Sequence, residues 1–102
     1  MEQDIAINKT AVKEGTFEWA LSKLKSGLAL SRQTWNGPDQ FVYLVPPNQY
    51  KAQTGIAKTV FGQDSLVPYA GYFAIKTTIG VVSVWVPSTG DLLAADWFVK
   101  QI

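Results

Sequence analysis

The sequence contains no cysteine and no histidine. Without cysteine there is neither a disulfide framework nor a thiolate metal site. Without histidine the Cys/His type of zinc centre is excluded, as are Ser-His-Asp and Cys-His nucleophile systems. Neither a metal site nor a catalytic residue is assigned, and no cofactor is expected. Charge is scarce as well, with nine basic and eight acidic residues leaving a net charge of +1. The basic residues run from Lys9 to Lys100 without forming a stripe or cluster, which argues against duplex nucleic acid as a partner. No apolar run reaches the length of a membrane span. The start Met1-Glu2-Gln3-Asp4 lacks a signal peptide's basic head and apolar stretch, so a cytoplasmic protein is expected. A glycine-rich phosphate loop is missing too.

What is present fits one small domain of 102 residues. A chain this short buries a limited share of its surface, and partner chains commonly complete such cores. Residues 1–15 mix charges with isolated apolar positions and are expected to form a loosely held arm ahead of a single domain at 16–102. Thr16 is a good N-cap for a helix in which Phe17, Ala20, Leu21 and Leu24 repeat at i, i+3, i+4 and i+7. Glu18 in the first turn and Lys23 and Lys25 in the last suit the helix dipole, and Gly27 supplies the stop. Trp19 lies off the apolar stripe.

Strands are expected at Leu28–Arg32, Gln40–Val45, Tyr72–Thr77, Val81–Val86 and Trp97–Val99, from β-branched and aromatic content and the turn residues between them. The span 48–71 reads as a long irregular insertion within which Ile56–Phe61 forms a short strand or a lid. Ser88 and Asp91 have the spacing of a small cap on a brief helical turn. The predicted fold is α+β, one short amphipathic helix on a mostly antiparallel sheet of about five strands. Val82, Val84 and Val86 would face away from Trp85, so both faces of that strand are apolar. One helix of about three turns covers only part of one face. Either a homo-oligomer covers the other, which is the simpler resolution, or the 48–71 segment folds over it.

The turn Arg32-Gln33-Thr34-Trp35-Asn36-Gly37-Pro38 joins the helical half to the first long strand and holds the chain's single arginine. Asn36-Gly37 suits a tight turn and Pro38 fixes its own φ, so Trp35 is held at a rigid corner. There it either presents a flat face for a planar ligand or plugs one end of the core. Arg32 is either a planar fork for a phosphate or base edge or a solvated strand residue. Ser88, Thr89 and the N–H groups at the Asp91 turn either hold an anionic oxygen or form a plain cap. A carboxylate pair of Asp91 and Asp96 would be the only material for a hydrolase, and Asp91 is more economically a cap.

The chain resembles a phage and prophage family of small proteins first known as a domain of unknown function, some of whose members are Thoeris anti-defence sponge proteins. The resemblance is carried by Phe17-Glu18-Trp19-Ala20-Leu21, Leu24-Lys25-Ser26-Gly27, Arg32-Gln33-Thr34-Trp35-Asn36-Gly37 and Phe41-Val42-Tyr43-Leu44-Val45-Pro46. Tyr72-Phe73-Ala74-Ile75-Lys76-Thr77, Trp85-Val86-Pro87-Ser88 and Asp91-Leu92-Leu93-Ala94-Ala95-Asp96-Trp97 carry its C-terminal part. It implies a non-enzymatic homotetramer that binds and sequesters a cyclic ADP-ribose isomer made by bacterial TIR-domain immune enzymes; some relatives also bind cyclic di- or trinucleotides. The expected ligand-binding residues, read from the corner and the cap themselves, are Arg32, Trp35, Asn36, Gly37, Ser88, Thr89 and Asp91, in a pocket completed by a second subunit. Where the family tends to have serine-glutamine-threonine-aspartate, this chain has Ser88-Thr89-Gly90-Asp91 and so lacks one amide side chain. The competing functions are an assembly protein that only oligomerises and a small nucleotide hydrolase.

Overall fold

A computed structural model describes residues 12–37 and 39–102. The expected loose arm therefore falls mostly outside the described residues, as does Pro38. Helix α1 (Phe17–Lys25) forms where its caps and periodicity place it. The Trp19 N–H donates to Thr16 Oγ1 at 3.4 Å. At the other end the Gly27 N–H reaches the Leu24 carbonyl and the Leu28 N–H reaches that of Lys23. Those paired bonds close the last turn through a left-handed residue, which Gly27 provides at φ +94°.

The strands are β1 (Leu30–Arg32), β2 (Phe41–Val45), β3 (Asn48–Lys51), β4 (Leu66–Tyr69), β5 (Tyr72–Lys76), β6 (Val82–Val84) and β7 (Trp97–Val99). Five of them make one sheet in the order β6-β5-β2-β1-β7, and every pairing is antiparallel. Two more short helices follow, α2 (Gly55–Phe61) and α3 (Thr89–Leu93). The α+β architecture stands, with three helices rather than one among the described residues.

Register assigns the sheet's two faces. Leu30 opposes Val42 and Val99, while Val42 opposes Ile75, so these residues share the face that α1 covers. Ala20 and Leu24 of the helix close on Leu30, Val42, Trp85 and Trp97 to form the core. Fully burying a side chain such as Leu24, Leu30 or Val42 contributes about 1.5–3 kcal/mol each. Phe17 adds its ring at 6.2 Å from Trp85 and 5.7 Å from Trp97. Trp19 packs on the margin of this core, with the Lys23 ammonium 5.9 Å from its ring centre.

The second face stays open. Val82, Val84 and Val86 are 49%, 63% and 80% exposed, so the 48–71 segment does not fold over them. That segment is also not irregular: β3 and β4 pair into a separate two-stranded ribbon with α2 between them. Residues 56–61, expected as a strand or lid, are helical. Thr54 caps the start by accepting from the Ala57 N–H at 3.0 Å, and Gly62 ends it at φ +113°. No α2 residue is buried, so no amphipathic period betrays the helix in the sequence.

Candidate functional site

The Trp35 corner is built from consecutive tight turns. The Trp35 N–H returns to the Arg32 carbonyl at 3.1 Å, and the Gln40 N–H to that of Gly37 at 3.3 Å. Asn36 is exposed. Gly37 sits at φ +116°, where a Cβ would run into the Thr78 side chain in the β5–β6 turn. Only glycine fits both demands.

The C-terminal part of the chain holds this corner in place. β1 pairs with β7 so that Arg32 opposes Trp97. Arg32 Nε donates to Asp96 Oδ1 at 2.8 Å, and its Nη1 donates to Asp91 Oδ1 at 3.0 Å. The other oxygen of Asp96 accepts from the Thr34 N–H at 3.1 Å and the Thr34 hydroxyl at 2.9 Å. Asp96 thus anchors the corner one residue before Trp35, while Arg32 ties the same carboxylate to α3.

Asp91 is equally occupied. Its Oδ2 accepts from the Ser88 N–H at 2.9 Å, and its own N–H donates to Ser88 Oγ at 3.0 Å. This reciprocal pair is the capping box read from the sequence. The Asp91 carbonyl accepts from the buried Trp97 indole at 2.9 Å. Trp35 in turn meets the Trp97 ring edge-on at 5.3 Å. Hydrogen bonds, ion pairs and ring contacts therefore bring Arg32, Trp35, Ser88 and Asp91 into one neighbourhood, with Asn36 and Gly37 following Trp35 in the turn and exposed Thr89 beginning α3.

Two of these residues sit differently from either option open to them in the sequence. Arg32 is neither a free fork nor a solvated residue: its side chain is 19% exposed and bridges two carboxylates. Of its five N–H donors two are used within the protein. Trp35 is half-buried against the core and stands on an exposed turn, so it is neither fully presented nor fully enclosed. Asp96, Thr34 and Trp97 were not among the expected ligand residues, although they position those that were. Their partners lie up to 64 residues away, and only the pairing of β1 with β7 makes the link visible.

One positive and two negative charges meet here. The hydrogen bond that Arg32 donates to Asp96 is the main influence raising the Arg32 pKa above its ordinary value, against burial. Burial pushes the Asp96 carboxyl up, but the bonds from Arg32 and Thr34 outweigh it and hold the group below its usual value. A carboxyl that titrates lower when folded favours folding above its unfolded value of about 4, and this contribution vanishes as pH falls through the lower folded value. Asp96→Asn should consequently melt below wild type at about pH 7, with the gap closing toward about pH 2. Melts across that range check this, and a gap independent of pH would contradict it.

Residues 15–100 match the Thoeris anti-defense 2-like domain family. The match takes in α1, the Trp35 corner, the ribbon and α3. The chain belongs to this family. It is also similar to a protein of Bacillus phage SP01 named Thoeris anti-defense 2, with 35% identity over 83 residues, 80% of this chain and 90% of that one. Membership supports a phage anti-defence role. Among the described residues no helix is long and apolar enough to cross a membrane, and no group of acidic residues is placed to hold a metal ion.

Proposed function

We propose that the protein binds a cyclic nucleotide immune signal in the host cytoplasm, a cyclic ADP-ribose isomer in the first place, and withholds it from its effector without cleaving it. The observation that carries this reading is the braced Trp35 corner in a chain of the Thoeris anti-defense 2-like family. A ring fixed on an exposed turn is suited to stacking on a base, because it loses little freedom when the ligand arrives. Arg32, Asn36, Ser88 and Thr89 would supply donors to the same ligand. The cluster holds one more carboxylate than cation, so a phosphate would be held here by placed N–H and O–H groups and not by net attraction.

A hydrolase is the weaker reading. Asp91 and Asp96 are both engaged by Arg32, and a carboxyl held ionised, as Asp96 is, makes a poor general acid at neutral pH. A thermal-shift series against cyclic ADP-ribose isomers and cyclic oligonucleotides tests the proposal. A ligand present at about a hundred times its Kd adds about 2.7 kcal/mol to stability. Absence of a shift with every member of the series would leave the purely structural alternative.

The working unit in this reading is a homotetramer. The exposed valines of the open sheet face support it, since a second copy would bury them. Such a partner would also wall the corner, because ligand sites usually enclose most of their ligand. Light scattering after size exclusion should give about four chain masses; a clean monomer at micromolar concentration contradicts the assembly.

A further inference from the structure

The Trp35 corner has a further neighbour besides β7 and α3. Phe41 opposes Lys76 in the pairing of β2 with β5, which puts the corner and the β5–β6 turn at the same end of the sheet. Two contacts join them. The Thr78 methyl lies against Gly37, in the space that a Cβ at that glycine would need. The Lys76 ammonium donates to the Asp39 carbonyl at 3.1 Å, just before β2 begins.

The turn that carries Thr78 is itself fixed. The Thr77 N–H donates to the Val81 carbonyl at 2.9 Å and the Thr77 hydroxyl to the same carbonyl at 3.1 Å. The Gly80 N–H closes on the Thr77 carbonyl at 2.9 Å. Thr78 is β-branched, so its side chain has few χ1 settings and its methyl stays in place. Gly37 is the opposite case. At φ +116° and with no side chain of its own, it swings freely unless something outside holds it. Asp96 holds Thr34 on the near side of Trp35, and Thr78 meets Gly37 on the far side.

We propose that Thr78 is a positioning residue of the Trp35 corner: its methyl fixes Gly37, and Gly37 sets the angle at which the Trp35 turn meets a ligand. Thr78 acts through Gly37 and not on the ligand. The β5–β6 hairpin is then a second brace, working by contact where Asp96 works by hydrogen bonds. The effect on affinity rests on the proposal that the corner binds a cyclic nucleotide, whereas the bracing is a property of the free protein. A turn ordered in advance has less freedom to lose on binding. Because Thr78 is exposed, loosening it acts on affinity more than on stability.

Two substitutions divide the side chain. Thr78→Ser removes the methyl and keeps the hydroxyl, while Thr78→Val keeps a methyl on a β-branched carbon and removes the hydroxyl. In NMR relaxation of the free protein, the backbone amide order parameters of Trp35, Asn36 and Gly37 should fall in Thr78→Ser and hold at wild-type values in Thr78→Val. Calorimetric titration with a cyclic ADP-ribose isomer should show about three- to tenfold weaker binding for Thr78→Ser and near wild-type binding for Thr78→Val. Both variants should melt within about 3 °C of wild type, as substitutions at an exposed turn do. Unchanged order parameters in Thr78→Ser overturn the proposal. Order parameters that fall while affinity stays constant overturn it too. So does affinity lost in Thr78→Val and kept in Thr78→Ser, which would make the hydroxyl a ligand contact. If the wild-type protein binds no cyclic ADP-ribose isomer, the binding role of the corner fails, and the order parameters alone decide whether Thr78 braces it.

Discussion

Trp97→Ala should lower the melting temperature by roughly 20 °C, from a loss of about 3–5 kcal/mol. Trp97 is 3% exposed and stands at the centre of the aromatic core. Its ring meets Phe17, Trp35 and Trp85 with centroids 5.3 to 5.9 Å away. Truncation leaves a large void, because the surrounding rings are held by three separate elements and cannot collapse together. It also removes the indole donor from the Asp91 carbonyl inside the core. Trp97→Phe separates the two effects: it keeps most of the packing and strands the carbonyl, at about 1–3 kcal/mol. Thermal melts of both variants check the ordering, and an alanine variant as stable as the phenylalanine one would place Trp97 outside the core.

Trp35→Ala should weaken binding of the cyclic nucleotide by about 1–3 kcal/mol, roughly five- to a hundredfold, through loss of a stacking face. From the turn alone, stability would hardly change. The edge-on contact with Trp97 adds a second effect, a loss of about 1–2 kcal/mol in folding, since the ring is half-buried against the core. Both losses should appear in one protein, binding in a titration and folding in a melt. Trp35→Phe retains a ring for stacking and should recover most of the affinity. A Trp35→Ala variant with full affinity but collapsed stability would make Trp35 a core plug alone.

The parts of the fold legible in the sequence are those governed by short-range rules. Thr16, the Phe17–Leu24 stripe and Gly27 delimit α1, and Ser88 with Asp91 forms the predicted box. The Trp85 face and the Val84 face of β6 separate as alternation requires. The arm was illegible for a physical reason. Its helix buries nothing, so Ile56, Val60 and Phe61 carry no face to reveal, and their β-branched and aromatic character suggests a strand. At the site, the corner and the cap were each visible, but their union was not. Arg32 meets Asp91 and Asp96 across 59 and 64 residues, a link set by strand order and not by any local pattern.

That union bears on how the corner works. A stacking ring on a mobile loop would lose freedom with every ligand bound. Here Asp96 fastens Thr34, Arg32 fastens Asp96 to α3, and Trp97 supports the ring from beneath. On the proposed reading, such a corner is prepared before a ligand arrives, which would favour slow release over turnover.

Sequestration without cleavage is the central claim, and the fate of the bound molecule tests it most directly. Purified protein is loaded with a cyclic ADP-ribose isomer, freed of excess ligand, denatured by heat, and the released nucleotide identified by mass and retention. The expected result is the intact cyclic molecule, in constant proportion to protein and capable of activating its effector again. A product heavier by one water, or protein that retains no nucleotide, would contradict the account.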